Sequence, residues 1–181
     1  MKNWVLIGLM GSGKSAVGRA LAQGLGCRFL DTDSLIEKRV GLTVPEIFSR
    51  HGEGWFRAQE ALVAEEVGNE SGCVIATGGG MVIHPANMEA LHRNGHLIFL
   101  TARPEVILER VKRRPKSRPL LNEGGDLLLK IQQLLKERES YYRQAVIHCD
   151  TSDRSVSEIA REIYKRVSEI EGNKWHPQRA S

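Results

Sequence analysis

The sequence predicts an α/β fold, a three-layer sandwich around a five-stranded parallel sheet, and three observations predict it. Five short apolar runs alternate with stretches of helical pattern, as expected of strands covered on both faces by their crossover helices. The first run, Trp4-Val5-Leu6-Ile7, leads straight into Gly8-Leu9-Met10-Gly11-Ser12-Gly13-Lys14-Ser15, and a helical stretch follows from Ala16. The residues with chemical potential then fall directly after runs: Gly8 to Ser15, Asp31 with Asp33, and Gly78-Gly79-Gly80. In open parallel sheets the ligand lies outside the carboxyl ends of the strands.

The segment Gly8 to Ser15 matches G-x-x-x-x-G-K-[ST], the P-loop pattern. Its glycines let the backbone curl so that N–H groups point inward, and the following helix adds the positive end of its dipole. Lys14 is placed to reach the β- and γ-phosphates of a nucleoside triphosphate, and the Ser15 hydroxyl to ligate Mg²⁺.

Residues 27–30 read as the second strand, ending at Asp31-Thr32-Asp33, and Ser34 to Val40 as a helix stopped by Gly41. Thr43-Val44-Pro45-Glu46 is a capping-box start. A short helix follows to about Arg50, a break at His51-Gly52-Glu53-Gly54, and a longer helix from Trp55 to Val67. Residues 73–77 form the third strand, Pro85 to Arg93 a helix, and residues 96–100 the fourth strand. Pro104 opens a helix to about Arg113, where its fixed φ is favourable. The stretch from Arg113 to Pro119 holds two prolines and four basic residues, which excludes regular helix. Asp126 caps a long helix to about Arg143, and residues 145–149 are the fifth strand. Ser155-Val156-Ser157-Glu158 caps the last helix, which Gly172 ends. With no internal repeat or linker, residues 1–172 read as one domain and 173–181 as a frayed polar tail.

Bulk properties exclude several classes. A formal charge of +4 spread along 181 residues is no nucleic-acid tract, and no apolar stretch is long enough to span a bilayer. Cys27, Cys73 and Cys149 have no metal spacing and read as buried reduced thiols. No signal or transit segment precedes the first strand, so a cytoplasmic location is expected. The histidines show no ligand spacing, and no Ser-His-Asp elbow exists.

Around the P-loop, several residues admit two readings. Asp31 and Asp33 would share one face of an extended segment, one holding Mg²⁺ through water and the other taking a proton from an attacking hydroxyl. Alternatively, Asp33 caps a helix beside a solvated neighbour. The Asp that many P-loop enzymes carry after the third strand is replaced by Ala76-Thr77-Gly78, so Asp31 is the natural substitute. Arg57, beside Trp55 and Phe56, is either a packed surface side chain or a bidentate clamp for a carboxylate. Arg138 falls on the apolar stripe Leu127, Ile131, Leu134 and Tyr141/Tyr142. An inward charge there needs a buried Glu or an anionic ligand. The triple glycine is a flexible turn or a close backbone approach to a ligand. The basic segment is a solvated loop or a lid.

Together these residues resemble the shikimate kinase family over nearly the whole chain, to about residue 170. The motifs that carry the resemblance are Gly8 to Ser15, Asp31-Thr32-Asp33, Phe48-x-x-x-Gly52-Glu53-x-x-Phe56-Arg57-x-x-Glu60, Thr77-Gly78-Gly79-Gly80, Arg118-Pro119-Leu120-Leu121 and Arg138-Glu139-x-x-Tyr142. The resemblance implies a P-loop fold of the nucleoside-monophosphate-kinase type with a lid at about 113–124. It implies transfer of the γ-phosphoryl of ATP to the 3-hydroxyl of shikimate, on the pathway to chorismate and the aromatic amino acids. Asp33 would hold the shikimate hydroxyls and act as base, with Lys14 and Arg118 as catalytic partners. Arg57 and Arg138, helped by Gly79 and Gly80, would hold the carboxylate, and Glu60 would steady Arg57. ATP would lie on Gly11, Ser12, Gly13, Lys14, Ser15 and Ala16, with Arg118 on the phosphates and Arg114 and Arg154 beside the adenine. Ser15 and Asp31 would place Mg²⁺. Family relatives are mostly monomers, which sets the same expectation here.

A related gluconate or nucleotide kinase would share the P-loop, but the Asp pair, the Phe-Arg clamp and the triple glycine favour shikimate. A GTP-dependent switch would need Asn-Lys-x-Asp, and Asn173-Lys174-Trp175-His176 lacks the Asp. A silent binding domain would be expected to have lost Asp33, Lys14 or the lid arginine.

Overall fold

The structure is a computed structural model that describes residues 1–113 and 126–172. Five parallel strands, β1 (Asn3–Ile7), β2 (Phe29–Asp31), β3 (Val74–Ala76), β4 (Gly95–Thr101) and β5 (Ile147–Asp150), form one sheet in the order β2-β3-β1-β4-β5. Register follows from the central strand, with Val5 opposite Ile75 on one side and Leu97 on the other. The helices are α1 (Lys14–Leu25), α2 (Thr32–Val40), α3 (Val44–Gly68), α4 (Pro85–Arg93), α5 (Pro104–Lys112), α6 (Leu127–Glu137), α7 (Glu139–Tyr142) and α8 (Val156–Ile170). A 3₁₀ turn over Met81–Ile83 follows β3.

β1 shows why the strands carry apolar residues at every position. Val5 and Ile7 pack into one core layer with Ile36, Phe56, Val63 and Leu91. Trp4 and Leu6 pack into the other with Val17, Leu21, Ile159 and Ile163. Alternate side chains face opposite layers, and both layers are lined by buried apolar residues. At the edge away from the strand ends that carry the loops, the buried Asn3 amide donates to Glu70 O at 2.8 Å, and its oxygen accepts from Cys73 N at 3.0 Å. That side chain ties the start of β1 to the turn before β3.

Several boundaries differ from the sequence expectation. β2 begins at Phe29, and α2 already at Thr32, because the Asp31 side chain accepts from Ser34 N and caps the helix. The break expected over 51–54 shrinks to a kink at Gly52 (φ 80°, ψ 171°) inside α3. Only a residue at ease with positive φ could turn the helix there. The long helix expected from Asp126 to Arg143 is interrupted at Arg138 (φ −99°, ψ 1°). Both capping boxes, at Thr43 and at Ser155, form. Cys73 and Cys149 are buried free thiols, whereas Cys27 is only partly covered. The expected lid and polar tail lie outside the described residues, apart from Arg113. No helix among the described residues is long and apolar enough to cross a membrane.

Candidate active site

A cleft of about 410 Å³ opens at the carboxyl ends of the strands. One end is floored by the P-loop. Gly13 caps α1 in a left-handed conformation (φ 99°) that turns the chain from loop into helix. Lys14 is 8% exposed, and its ammonium donates to Gly8 O at 2.8 Å and Leu9 O at 3.0 Å. Its charge is thus held over the loop by the loop's own carbonyls. The Ser15 hydroxyl donates to Asp31 Oδ2 at 2.7 Å, bringing a hydroxyl and a carboxylate together at the start of α1. Gly11, Gly13, Ser15 and Ala16 all line the cleft. Ser12 does not: its side chain is fully buried and its N–H donates to Leu9 O at 3.2 Å.

The other end is built from α2, α3, the glycine turn and the α6–α7 junction. Asp33 does not share an extended face with Asp31, as the sequence suggested; it sits in the first turn of α2, and Asp31 is the N-cap. Both still reach the cleft. Between them, the Thr32 hydroxyl accepts from Gly78 N at 2.8 Å and docks the turn onto α2. Asp33 Oδ1 is buried with no hydrogen-bond partner among the described residues. Its carboxyl is pushed up to about 7, chiefly by burial and then by the neighbouring charges of Asp31 and Glu60, with Lys14 pulling the other way.

Arg57 lines the cleft, with its guanidinium held between two carboxylates of its own helix. Its guanidinium meets Glu60 at 2.5 Å and Glu53 at 2.7 Å. Burial works against its charge, and the two carboxylates more than offset that effect. Glu60 is itself buried, with Oε1 unpartnered among the described residues. Burial pushes its acid up, while Arg57, His84 and Arg138 oppose the rise.

The triple glycine is a close-approach device. A Cβ on Gly80 would land on the Arg57 guanidinium, and one on Gly78 would sit 2.5 Å from Asp33 Oδ1 and 2.9 Å from Glu60 Oε1. Gly79 and Gly80 line the cleft, and Gly79 O accepts from Arg138 Nη1 at 2.7 Å. Arg138, only 6% exposed, faces inward as its stripe position implied. Of the two partners that the sequence left open, the buried Glu60 carboxylate lies within its electrostatic reach, and the Arg138 side chain also lines the cleft. Phe48 and Phe56, in ring contact at 4.8 Å between centroids, form an apolar wall.

Arg154 also lines the cleft, where it meets Glu162 at 2.7 Å and Asp150 O at 3.1 Å. Arg114 and Arg118 lie outside the described residues. The sequence reading missed Arg110. It donates to Gly11 O at 3.2 Å and to Thr151 Oγ1 and O at 2.9 and 2.7 Å, tying α5 to the P-loop and to the end of β5. Arg110 carries no local signal, since its partners lie 41 and 99 positions away.

The shikimate kinase family model matches residues 10–168. A shikimate kinase of Pelotomaculum thermopropionicum is 50% identical over 169 residues, covering 93% of this chain and 97% of that protein. One from Caldanaerobacter subterraneus subsp. tengcongensis is 44% identical over 172 residues, covering 95% and 99%. Among solved structures, the shikimate kinase of Acinetobacter baumannii in complex with shikimate superposes with a TM-score of 0.88 at 38% identity, covering 96% of this chain and 95% of that one. A gluconokinase from Sinorhizobium meliloti shares only the fold, with a TM-score of 0.59 at 20% identity, covering 97% and 98%. The family model spans most of the chain, and close relatives match nearly end to end: the chain belongs to the shikimate kinase family.

Proposed function

We propose that this chain transfers the γ-phosphoryl group of ATP to the 3-hydroxyl of shikimate, giving shikimate 3-phosphate and ADP. The observation that carries the proposal is one cleft in which a P-loop lysine, a buried carboxyl with an unpartnered oxygen and two inward arginines converge. Membership of the family makes the chain a kinase with an alcohol acceptor, drawing its phosphate from ATP.

In this scheme Lys14 exchanges its two carbonyl contacts for β- and γ-phosphate oxygens, and the N–H groups of Gly11, Gly13, Lys14, Ser15 and Ala16 hold the remainder. Asp33 accepts the proton of the attacking hydroxyl and aligns that hydroxyl for in-line transfer. Arg57 and Arg138 take the carboxylate of the acceptor, with Gly79 and Gly80 leaving room for it beside the backbone. Ser15 and Asp31, already joined through a hydrogen bond, fit Mg²⁺; the ion would supply charge neutralisation on the phosphates. Arg118 is assigned to the transferring phosphate, and Arg114 and Arg154 to the adenine. We assign residues 1–172 to one kinase domain acting as a cytoplasmic monomer.

An ADP-release assay across shikimate, gluconate and nucleoside monophosphates tests the assignment. Turnover is expected with shikimate alone, and preference for another acceptor would overturn it. The clamp has its own test. Arg57→Lys keeps the charge but loses the planar fork shared with Glu53 and Glu60. Steady-state kinetics should show the shikimate KM raised about tenfold or more, with the ATP KM within about twofold of the parent.

A further inference from the structure

Tyr142 is 2% exposed, and its ring lies flat on Phe99 of β4, with centroids 4.3 Å apart and planes 12° apart. Phe99 is braced in turn by an edge contact with His148 of β5, at 5.5 Å. The ring is therefore fixed to the sheet. Its hydroxyl, however, is buried, and the Arg138 side chain lies within reach of it, in a geometry short of a full hydrogen bond. Such a group costs stability, and a phenylalanine would fill the same stack without it.

The hydroxyl stands next to Arg138. The two residues share one turn, with Tyr142 N donating to Arg138 O at 3.2 Å, and the charge of Arg138 acts on the hydroxyl. Arg138 is nearly buried and offers five N–H donors, and its Nη1 donates to Gly79 O. A guanidinium held at one corner can still rotate about its terminal bonds, and a fork that rotates cannot present two parallel donors to a carboxylate.

We propose that Tyr142 is a positioning residue for the acceptor: its hydroxyl accepts from Arg138 as the fork turns to the carboxylate, fixing the guanidinium at a second corner. Tyr142 touches neither substrate. It acts through Arg138 and carries the rigidity of the sheet out to the α6–α7 junction. The inference rests on the acceptor assignment made above.

The test is a double-substitution cycle read by steady-state kinetics. Tyr142→Phe removes one oxygen and leaves the stack on Phe99. It should raise the shikimate KM about fivefold, as loss of one hydrogen bond to a charged group does. kcat and the ATP KM should stay within about twofold of the parent, and the thermal midpoint should be unchanged or higher. In an Arg138→Lys background, where no fork remains to be oriented, the same change should have no further effect on the shikimate KM. An unchanged shikimate KM in Tyr142→Phe overturns the inference while leaving the acceptor assignment intact. So does a rise that persists undiminished in Arg138→Lys, or a rise accompanied by a fall in the thermal midpoint. No turnover of shikimate by the unaltered chain would remove the acceptor assignment, and this inference with it.

Discussion

Asp33→Asn should lower kcat with shikimate by about three orders of magnitude while ATP affinity stays within about twofold. The amide keeps the shape of the side chain and loses the proton acceptor. The donor contacts of Lys14 and the P-loop do not pass through it. Because burial lifts the Asp33 carboxyl to about 7, the parent should show an acid limb in kcat/KM with a midpoint near that pH, and the limb should be missing from the residual activity of the variant. Stability should move the opposite way. In the unfolded chain this carboxyl ionises near 3.8, so between that value and about 7 the folded state holds a proton that the unfolded state has lost. Folding is then opposed increasingly as pH rises through this window, and the full penalty stands above it. At pH 8 the variant should melt several degrees higher than the parent, and the gap should close toward pH 4. Differential scanning calorimetry across that range checks the sign. A variant that melts lower at pH 8 would count against a strained base at this position.

Gly78→Ala should be nearly as damaging, for a different reason. The new methyl would lie 2.5 Å from Asp33 Oδ1 and 2.9 Å from Glu60 Oε1, well inside carbon–oxygen contact. Neither carboxylate can retreat freely, since Asp33 packs against the turn docked by Thr32 and Glu60 is gripped by Arg57. We expect kcat/KM for shikimate to fall by about two orders of magnitude, with ATP affinity within about threefold. Adding Gly78→Ala to Asp33→Asn should cost much less than it does alone, because the displaced base is already gone. Titration with nucleotide and with acceptor separately would distinguish this pattern from a general loss of folding.

What could be read from the sequence was whatever is encoded locally. The capping boxes at Thr43 and Ser155 involve residues three apart, and both form. The P-loop is eight consecutive residues between a strand and a helix, and the inward position of Arg138 followed from a single apolar stripe. The break in the helix at Arg138 could not be read, because it accompanies a bond to Gly79, 59 positions earlier. Arg110 was missed for the same reason: on α5 it reads as a solvated helix face, and its role appears only when β5 brings Thr151 beside it. The Asp pair was misjudged in a smaller way. Two carboxylates spaced by one residue suggested an extended face, yet Asp31 caps α2 and so winds Asp33 into the first turn. Both still reach the cleft, but they do so from different backbone conformations.

The sheet order also has a consequence for how this scaffold can be altered. β2 and β3 are neighbours at one edge of the sheet, and the chain between Asp31 and Gly80 leaves that edge and returns to it. That excursion carries Asp33, Phe48, Phe56, Arg57, Glu60 and the glycine turn, while the other end of the cleft draws on the P-loop, α5 and the loop after β5. The two ends of the cleft thus draw on separate stretches of covalent chain, with Arg138 the outlying member of the first group and Asp31, bonded to Ser15, the joint between them. On the assignment proposed above, acceptor choice would be altered through side chains of α2, α3 and the glycine turn together with Arg138, with Asp31 and β3 kept, because these tie the excursion to Ser15 and to β1.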